Sequence, residues 1–337
     1  MPEPSGASIR TTDYHTGGEP FRIVVEGTPA IPGATVRARR EFARSSATVD
    51  DVRRLLCHEP RGHADMYGCF LVPPDDGGAD LGVLFWHKDG YSTACGHGTI
   101  ALGAWAVQTG RVLADPDGDT DVPSGRVVAR VTCSGASVTT VAFRNVASYL
   151  IARDVELVLG DVSVRVDVSY GGAIYASVPA SAFGLSVTPD CYGDLIRVGR
   201  EVKHALQQTG IARHPSDPRL SGIYGTILFD DLGPTADGLH QRNVTVFADG
   251  EVDRSPCGSG TSARVAALVE QGRMEPGQVL SHDSIIGTRF LADVVERTVA
   301  EGRPAVVTEV RGMAYRTGEH VFVRHDEDPV GTGFVLR

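Results

Sequence analysis

Hydrophobic residues are concentrated in many short runs along the chain, and most of these runs are rich in β-branched residues. Such runs, bounded by Gly, Pro, Asp or Ser, are typical of β-strands. Segments with apolar residues at helical spacing are few and far apart. Many strands with few helices favour an α+β fold over an alternating parallel βαβ fold. The predicted strands are residues 21–26, 67–72, 81–86, 127–133, 138–143, 155–159, 162–168, 223–229, 244–247, 305–310 and 320–324, and the predicted helices are residues 50–57, 97–109, 194–209 and 259–271.

Two segments of the sequence resemble each other. Residues 95–110 are CGHGTIALGAWAVQTG, residues 257–272 are CGSGTSARVAALVEQG, and 8 of the 16 positions are identical. The offset of 257 − 95 = 162 residues is about half of the 337-residue chain, which indicates duplication of one half-molecule. In each copy, small or apolar residues recur at helical spacing after the Cys-Gly pair. Each copy therefore predicts a helix buried tightly among strands.

The two matched cysteines, Cys95 and Cys257, each stand just before a predicted helix. Unpaired N–H groups and the helix dipole favour negative charge there, so we expect each thiol to ionise more readily than usual. The glycines that follow, Gly96 and Gly258, allow close backbone approach, and the N–H groups can hold a carboxylate. If the two halves face each other, two thiols converge on one ligand. One thiolate could remove an α-proton while the other thiol delivers one to the opposite face.

The composition of the chain indicates which partners and which cellular location to expect. The chain has 32 Lys+Arg and 42 Asp+Glu, a formal charge of −10, so nucleic acid is not an expected partner. No apolar run approaches the ~20 residues of a membrane span, and residues 1–12 lack the apolar core of a signal peptide. We therefore expect a cytoplasmic protein that does not bind membranes. Six cysteines without a CxxC pair argue against a zinc site or a disulfide scaffold.

Four stretches carry a resemblance to a known family. They are HTGGEP (residues 15–20), DMYG (65–68), GYSTACGHGTIAL (90–102) and DRSPCGSGTSAR (253–264). With them the sequence resembles the proline racemase family, which comprises proline racemases, hydroxyproline 2-epimerases and trans-3-hydroxyproline dehydratases. The resemblance implies a cyclic imino acid as the small-molecule substrate and no metal or organic cofactor. It also suggests a homodimer.

The resemblance also implies a fold. The family is similar to diaminopimelate epimerase, with two pseudo-symmetric halves, each a curled, mainly antiparallel sheet around a central helix, and an active site in the cleft between them. The end of the chain returns to the first half in such folds. We therefore expect a first half of residues 1–152 plus about 318–337, carrying Cys95, and a second half of about 153–317, carrying Cys257.

Residue by residue, the resemblance makes Cys95 and Cys257 the acid–base pair. Gly96 and His97, with Gly258 and Ser259, would bind the substrate carboxylate, with the His97 backbone favoured over its imidazole. Asp253 would accept a hydrogen bond from the substrate nitrogen, although an Asp before a proline-containing turn often only forms the turn. Two further residues lead into the Cys95 motif and could line the pocket or be purely structural; they are His87 and Tyr91.

The sequence gives two indications of subtype. Residues 90–98, 221–230 and 246–256 resemble the trans-3-hydroxyproline dehydratase branch, whose members typically have Thr where Cys257 stands. A dehydratase needs one base, whereas inversion of a carbon needs an acid and a base. Because Cys257 is present, we predict a cofactor-independent racemase or 2-epimerase of proline or a hydroxyproline, with dehydration of trans-3-hydroxy-L-proline as the alternative. A thiol redox protein and a non-catalytic binding protein are more remote alternatives.

Overall fold

The computed structural model describes residues 8–113, 118–122, 125–135 and 137–336. The chain forms two compact units, unit 1 from Met1–Thr139 and Met313–Arg337, and unit 2 from Thr140–Gly312. The sequence places the two junctions near residues 152 and 318, later than the structure does. The first junction lies within strand β8 (Ser137–Arg144), because residues 141–144 of this strand pair with a strand of unit 2. The second lies just before a strand that pairs in unit 1.

Unit 1 is a sheet with one helix packed on it and two more covering another part of the sheet. The Cys95 helix, α3, packs against β1, β2, β7 and the returning strand β18. The elements are β1 (Ile9–Thr16), β2 (Glu19–Glu26), α1 (Val36–Ser45), α2 (Ala47–Cys57), β3 (Tyr67–Val72), β4 (Leu81–His87), β5 (Gly90–Tyr91), α3 (Gly96–Gln108), β6 (Gly118–Val122), β7 (Gly125–Ser134) and, after unit 2, β18 (Ala314–Phe322).

Unit 2 has the same plan. Its helix α5 follows Cys257 and packs against β9, β10, β11, β16 and β17, while the longer helix α4 packs against β12 and β13. The elements are β9 (Tyr149–Leu159), β10 (Val162–Tyr170), β11 (Ile174–Pro179), α4 (Tyr192–Thr209), β12 (Ile223–Pro234), β13 (Gly238–Phe247), β14 (Glu251–Asp253), α5 (Gly258–Glu270), β15 (Val279–Ser284), β16 (Arg289–Ala300) and β17 (Arg303–Gly312).

Six strand pairings of unit 1 each have a counterpart of the same direction in unit 2. In unit 1 the pairs β1–β2, β3–β4, β4–β5 and β6–β7 are antiparallel, and β2–β3 and β4–β6 are parallel. In unit 2 the pairs β10–β11, β12–β13, β13–β14 and β15–β16 are antiparallel, and β11–β12 and β13–β15 are parallel. The α+β class and the duplication predicted from the sequence are therefore confirmed.

The helices that follow the cysteines are buried along nearly their whole length. Every residue of α3 from Gly96 to Ala106 and every residue of α5 from Gly258 to Leu268 is buried. Small side chains on both helices allow the surrounding strands this close approach, as the sequence pattern predicts. Each cysteine is thereby held at the end of a rigid, enclosed element. No helix in the described part of the chain has the length and apolarity required to cross a membrane.

Candidate active site

The two matched cysteines occupy the residue immediately before their helices. Cys95 is the N-cap of α3, and its Sγ accepts a hydrogen bond from the Gly98 N–H at 3.2 Å. Cys257 stands at the same position before α5. Both side chains are buried, with 5% exposure each. The first-turn N–H groups of a helix lie outside its internal hydrogen-bond ladder, so each helix start can bind an anion beside its sulfur.

A second glycine, three residues after each cysteine, leaves room for the sulfur. A Cβ added at Gly98 would lie 2.8 Å from the Cys95 Sγ, and one at Gly260 would lie 2.9 Å from the Cys257 Sγ. Both distances are shorter than real Cβ contacts, so a side chain at either position would displace the thiol. The sequence comparison shows these glycines as identical but does not show that they create space for the thiols.

Around Cys95, the structure adds an aromatic and imidazole environment. The Nε2 and Nδ1 atoms of His97 lie 3.5 and 3.6 Å from the Cys95 Sγ. The His97 ring is fixed by edge contacts with Tyr67 and Phe21, at centroid distances of 4.9 and 5.9 Å. Its carbonyl accepts a hydrogen bond from the Thr16 hydroxyl at 3.0 Å. The preference for the His97 backbone over its imidazole is therefore incomplete, because the imidazole itself contacts the thiol.

Around Cys257, hydroxyl groups take the place of the imidazole. The Tyr175 hydroxyl lies 3.9 Å from the Cys257 Sγ and 2.7 Å from the Ser259 Oγ, and Ser259 has the position in its motif that His97 has in the other. Tyr175 is fully buried. Cys257 itself has a φ of +65°, whereas Cys95 has an extended φ of −153°. A positive φ is costly for a residue with a side chain, so the surroundings must hold Cys257 in place.

Asp253 stands at the end of β14, four residues before Cys257. Its Oδ1 accepts hydrogen bonds from the Ser255 N–H at 2.8 Å and the Ser255 hydroxyl at 2.6 Å. The Ser255 Oγ in turn accepts from the Cys257 N–H at 3.1 Å. The carboxylate is 3% exposed. Asp253 therefore shapes the turn that presents Cys257, and it remains our candidate for the substrate nitrogen.

Burial and charge oppose ionisation of Cys257. Burial raises the pKa of the Cys257 thiol above its usual range, and the neighbouring Asp253 carboxylate raises it further. Hydrogen bonds involving Gly260, Thr245 and Tyr175 lower it by less. The expectation that the helix start makes this thiol more acidic than usual is therefore wrong for Cys257. A buried neutral thiol is the form suited to donate a proton.

We expect Cys95 to react with iodoacetamide faster than Cys257 at pH 8. The two residues are equally exposed and each sulfur has a backbone N–H beside it, but Cys95 also has the His97 imidazole at 3.5 Å, which stabilises a thiolate. Burial raises the pKa of Cys69, so that thiol should be slow as well. Mass spectrometry of partially alkylated protein gives the order. Faster labelling of Cys257 or Cys69 would contradict the assignment of Cys95 as the more reactive thiol.

A polar network behind α5 fixes the backbone at Cys257. The Pro256 carbonyl accepts hydrogen bonds from the Thr261 hydroxyl and the Asn243 amide, both at 3.1 Å. The Thr261 Oγ1 also lies 2.8 Å from the Nδ1 of His282. All three supporting side chains are fully buried. These bonds hold the peptide that enters Cys257 and thus support its unusual conformation.

His282, a member of this network, makes the folding stability of the protein depend on pH. Burial lowers the pKa of His282 to about 3, against about 6.5 in the unfolded chain. The unfolded chain therefore takes up a proton between pH 6.5 and 3 that the folded protein does not, and stability falls over that range. From pH 7 to pH 4.5 the loss should be about 2 to 3 kcal/mol. Urea unfolding of the wild type and of His282→Gln at both pH values tests this; an equal loss in both proteins would contradict it.

Two further residues belong to unit 1. His87 pairs with Tyr67 across β3 and β4, its ring 5.7 Å from the Tyr67 ring, and its Nδ1 accepts from the Asp89 N–H at 3.2 Å. Tyr91 packs in the hydrophobic cluster formed with α1, α2, β3 and β4, and burial raises the pKa of its hydroxyl. His87 thus contacts Tyr67, and Tyr67 in turn contacts His97. The surroundings of Tyr91 are those of a core residue.

Comparison with known proteins places the chain in a family. The sequence model described as proline racemase matches residues 11–335. The trans-3-hydroxy-L-proline dehydratase of Bacillus thuringiensis subsp. konkukian is 40% identical over 329 residues, covering 97% of each chain. The 3-hydroxyproline 2-epimerase of Burkholderia multivorans is 42% identical over 334 residues, covering 98% of each chain.

Solved structures agree. A hydroxyproline epimerase from Agrobacterium vitis with bound trans-4-OH-L-proline has a TM-score of 0.90 and 29% identity, covering 99% of this chain and 97% of that chain. A PhzF-family phenazine biosynthesis protein of Bacillus anthracis, with a TM-score of 0.56 and 11% identity over 94% of this chain and 99% of that chain, shares the fold alone. On the family match and the curated relatives together, the chain belongs to the proline racemase family and is an enzyme.

Proposed function

We propose that this enzyme inverts the α-carbon of proline or a hydroxyproline by a two-thiol mechanism that needs no cofactor. The observation that carries the proposal is the pair of thiols, Cys95 and Cys257, at equivalent helix starts in two units of the same topology. One sulfur would act as base and one as acid. Inversion needs such a pair, because the proton must leave from one face of the carbon and arrive on the other.

The groups around each thiol suit the binding of an amino acid. The first-turn N–H groups at Gly96 and His97, and at Gly258 and Ser259, would bind the substrate carboxylate, because helix starts favour negative charge. Asp253 would accept a hydrogen bond from the substrate nitrogen. Both helices are buried along their length, which gives rigid donors that need no reorganisation during the reaction.

In the proposed reaction, one proton leaves the α-carbon and another is added to its opposite face. The thiolate of Cys95 takes the α-proton of the L-isomer, and the negative charge moves into the carboxylate, where the N–H donors stabilise it. The neutral thiol of Cys257 then gives its proton to the opposite face. The reverse reaction exchanges the two roles. The raised pKa of Cys257 supports its starting as the acid.

The names of relatives support a hydroxyproline as the substrate. The Burkholderia multivorans relative is a 3-hydroxyproline 2-epimerase, and the Agrobacterium vitis epimerase has trans-4-OH-L-proline bound. Both compounds are cyclic imino acids with one carboxylate and one ring nitrogen. The groups proposed above for this chain would bind these shared parts. We propose a cyclic imino acid as the small-molecule substrate and leave the ring hydroxyl to experiment.

A second function has its own support. Several relatives with 40 to 42% identity are named trans-3-hydroxy-L-proline dehydratases, including that of Burkholderia cenocepacia. Removal of the α-proton by Cys95 followed by departure of the β-hydroxyl would give an enamine, which becomes a cyclic imine, and water. This route uses a single base. The same protein could therefore eliminate water from the 3-hydroxy compound and invert the others.

One experiment separates the two functions. L-proline, trans-3-hydroxy-L-proline and trans-4-hydroxy-L-proline are each incubated with the enzyme in D₂O. Proton NMR measures exchange at the α-carbon, polarimetry measures inversion, and a carbonyl-reactive assay measures the cyclic imine. We expect deuterium incorporation with inversion of at least one substrate. Imine formation without inversion of any substrate would overturn the proposal in favour of the dehydratase.

The homodimer suggested by the family resemblance stays a prediction, as does the cytoplasmic location. Light scattering after gel filtration measures the mass of the particle directly. We expect twice the chain mass of 35.7 kDa.

A further inference from the structure

A buried tyrosine lies beside the second thiol, and the sequence patterns do not single it out. The Tyr175 hydroxyl is 2.7 Å from the Ser259 Oγ and 3.9 Å from the Cys257 Sγ, near the outer limit for a hydrogen bond to sulfur. Tyr175 is 0% exposed and Ser259 is 2% exposed. We propose that the Tyr175–Ser259 hydroxyl pair is a further part of the catalytic machinery, which stabilises Cys257 in both its thiol and its thiolate form. This inference rests on the proposed acid–base role of Cys257.

The Tyr175 hydroxyl, supported by the Ser259 hydroxyl, can form a hydrogen bond with Cys257 both as a thiol and as a thiolate. When Cys257 is a thiol, its S–H donates to the Tyr175 oxygen, and the tyrosine O–H donates to the Ser259 oxygen. When Cys257 has given up its proton, the tyrosine O–H turns to donate to the thiolate, and the serine O–H donates to the tyrosine oxygen. A hydroxyl is both donor and acceptor and rotates freely, so no proton has to leave the pair. Only the directions of two hydrogen bonds reverse.

Such a pair matters because the thiolate form is costly at this position. The Asp253 carboxylate opposes a thiolate at Cys257, whereas hydrogen bonds with the Gly260 N–H and with the hydroxyls of Thr245 and Tyr175 favour one. Burial raises the pKa of Tyr175 well above its usual range. The tyrosine therefore keeps its proton and serves as a hydrogen-bond donor rather than as a base. A hydrogen bond from a neutral group to a buried charge is among the stronger ones.

Comparison of the two units indicates that Tyr175 is more than a packing residue. A Gly-Gly pair joins β1 to β2 at residues 17–18 and β10 to β11 at residues 171–172, and the third residue after each pair is Phe21 or Tyr175. Phe21 also lies at a helix start, because a Cβ on Gly98 would be 2.5 Å from its ring. The same framework thus accepts a phenyl ring beside the thiol that has His97. The hydroxyl occurs beside the thiol that has Ser259.

The test measures ionisation of Cys257 directly, independently of any reaction. The rate of iodoacetamide alkylation of Cys257 is followed by mass spectrometry between pH 8 and 10 in the wild type, Tyr175→Phe and Ser259→Ala. Because a thiolate is the reacting form, we expect Tyr175→Phe to slow alkylation about 10- to 100-fold at fixed pH. Loss of the hydroxyl opens space near the sulfur, which would speed alkylation, so a slower rate cannot come from access. Ser259→Ala should slow it less, and Ser259→Thr, which keeps a hydroxyl, should react faster than Ser259→Ala.

The matched control is Tyr149→Phe. The Tyr149 hydroxyl is buried in the hydrophobic cluster of unit 2 and has no hydrogen-bond partner among the residues that the structure describes, so its loss should not change Cys257. Equal alkylation rates in Tyr175→Phe and Tyr149→Phe, with both proteins folded by thermal melting, would overturn the proposal.

Catalysis gives an independent readout. In Tyr175→Phe, inversion should fall about 10- to 100-fold, whereas α-proton exchange on the Cys95 side should change little. An equal fall in inversion and exchange would indicate a general structural defect and would also overturn the proposal. A wild-type enzyme that inverts none of the three imino acids would overturn the proposed function, while the alkylation rates would still decide the role of Tyr175.

Discussion

Replacing Cys95 with alanine should abolish both inversion of the α-carbon and elimination of water from trans-3-hydroxy-L-proline. Both reactions begin with removal of the α-proton from the L-isomer, and Cys95 is the proposed base. General acid–base groups contribute ~10²–10⁴-fold, so the loss should be at least of that order. Alanine removes the sulfur together with its hydrogen bond from the Gly98 N–H and leaves the glycines at 96 and 98 unchanged. The measurements are α-proton exchange in D₂O and imine release.

Cys133→Ala is the matched control for this variant. Cys133 is a free, partly exposed thiol of β7 in unit 1, and it lies outside the two matched Cys-Gly motifs. Its loss should leave both reactions at the wild-type rate. If Cys95→Ala still released imine at a normal rate, the base for dehydration would be another residue, and the common first step of the two reactions would have to be abandoned.

The duplication was predictable because a short sequence pattern occurs twice, at residues 95–110 and 257–272. Cysteine, two glycines and a run of small residues recur in the same order, and each is needed for the same physical reason in both units. The glycines make room for the sulfur, and the small residues let strands cover the helix. Such requirements act within a few residues of one another, so the sequence displays them directly.

Strand β1 and helix α1 were not predicted from the sequence, because buried polar residues hold them in place. Strand β1 contains Asp13, which forms a buried ion pair with Arg22 on β2. The Asp13 carboxylate lies 2.8 Å from the Arg22 guanidinium. Helix α1 is rich in arginine, yet Arg40 is buried because it donates to the carbonyls of Tyr91 and Ser92. A polar residue in sequence favours an exposed loop. Only the distant partner shows that it is buried.

The same reason explains what the sequence misses at the candidate site. Tyr175 lies 82 residues before Cys257, in an apolar strand where a tyrosine resembles any other core residue. The imidazole of His97 is close to Cys95 in sequence, but only the ring packing of Tyr67 shows which way it points. The pKa of Cys257 depends on burial and on Asp253 together, and a helix-start argument includes neither. Local pattern identifies the two thiols, whereas their chemical difference arises from tertiary contacts.

Replacing Cys257 with threonine should abolish inversion while keeping elimination of water. A hydroxyl is a far weaker acid and base than a thiol, so inversion should fall by at least ~10²–10⁴-fold. Cys95 remains, so the α-proton of trans-3-hydroxy-L-proline can still be removed and the β-hydroxyl can still leave. Threonine also recreates the arrangement that the dehydratase branch typically has. Polarimetry with L-proline and imine release from trans-3-hydroxy-L-proline measure the two reactions.

Two further variants make the result specific to the thiol at position 257. Cys257→Ser should lose inversion in the same way, and its smaller side chain removes any effect of the threonine methyl group. Cys191→Ala, at a free and partly exposed cysteine of unit 2, should invert at the wild-type rate. If Cys257→Thr inverted the α-carbon at nearly the wild-type rate, the proton for the second face would come from another donor. The two-thiol mechanism would then be wrong for this protein, and Tyr175, whose hydroxyl lies 3.9 Å from that sulfur, would become a candidate for the donor.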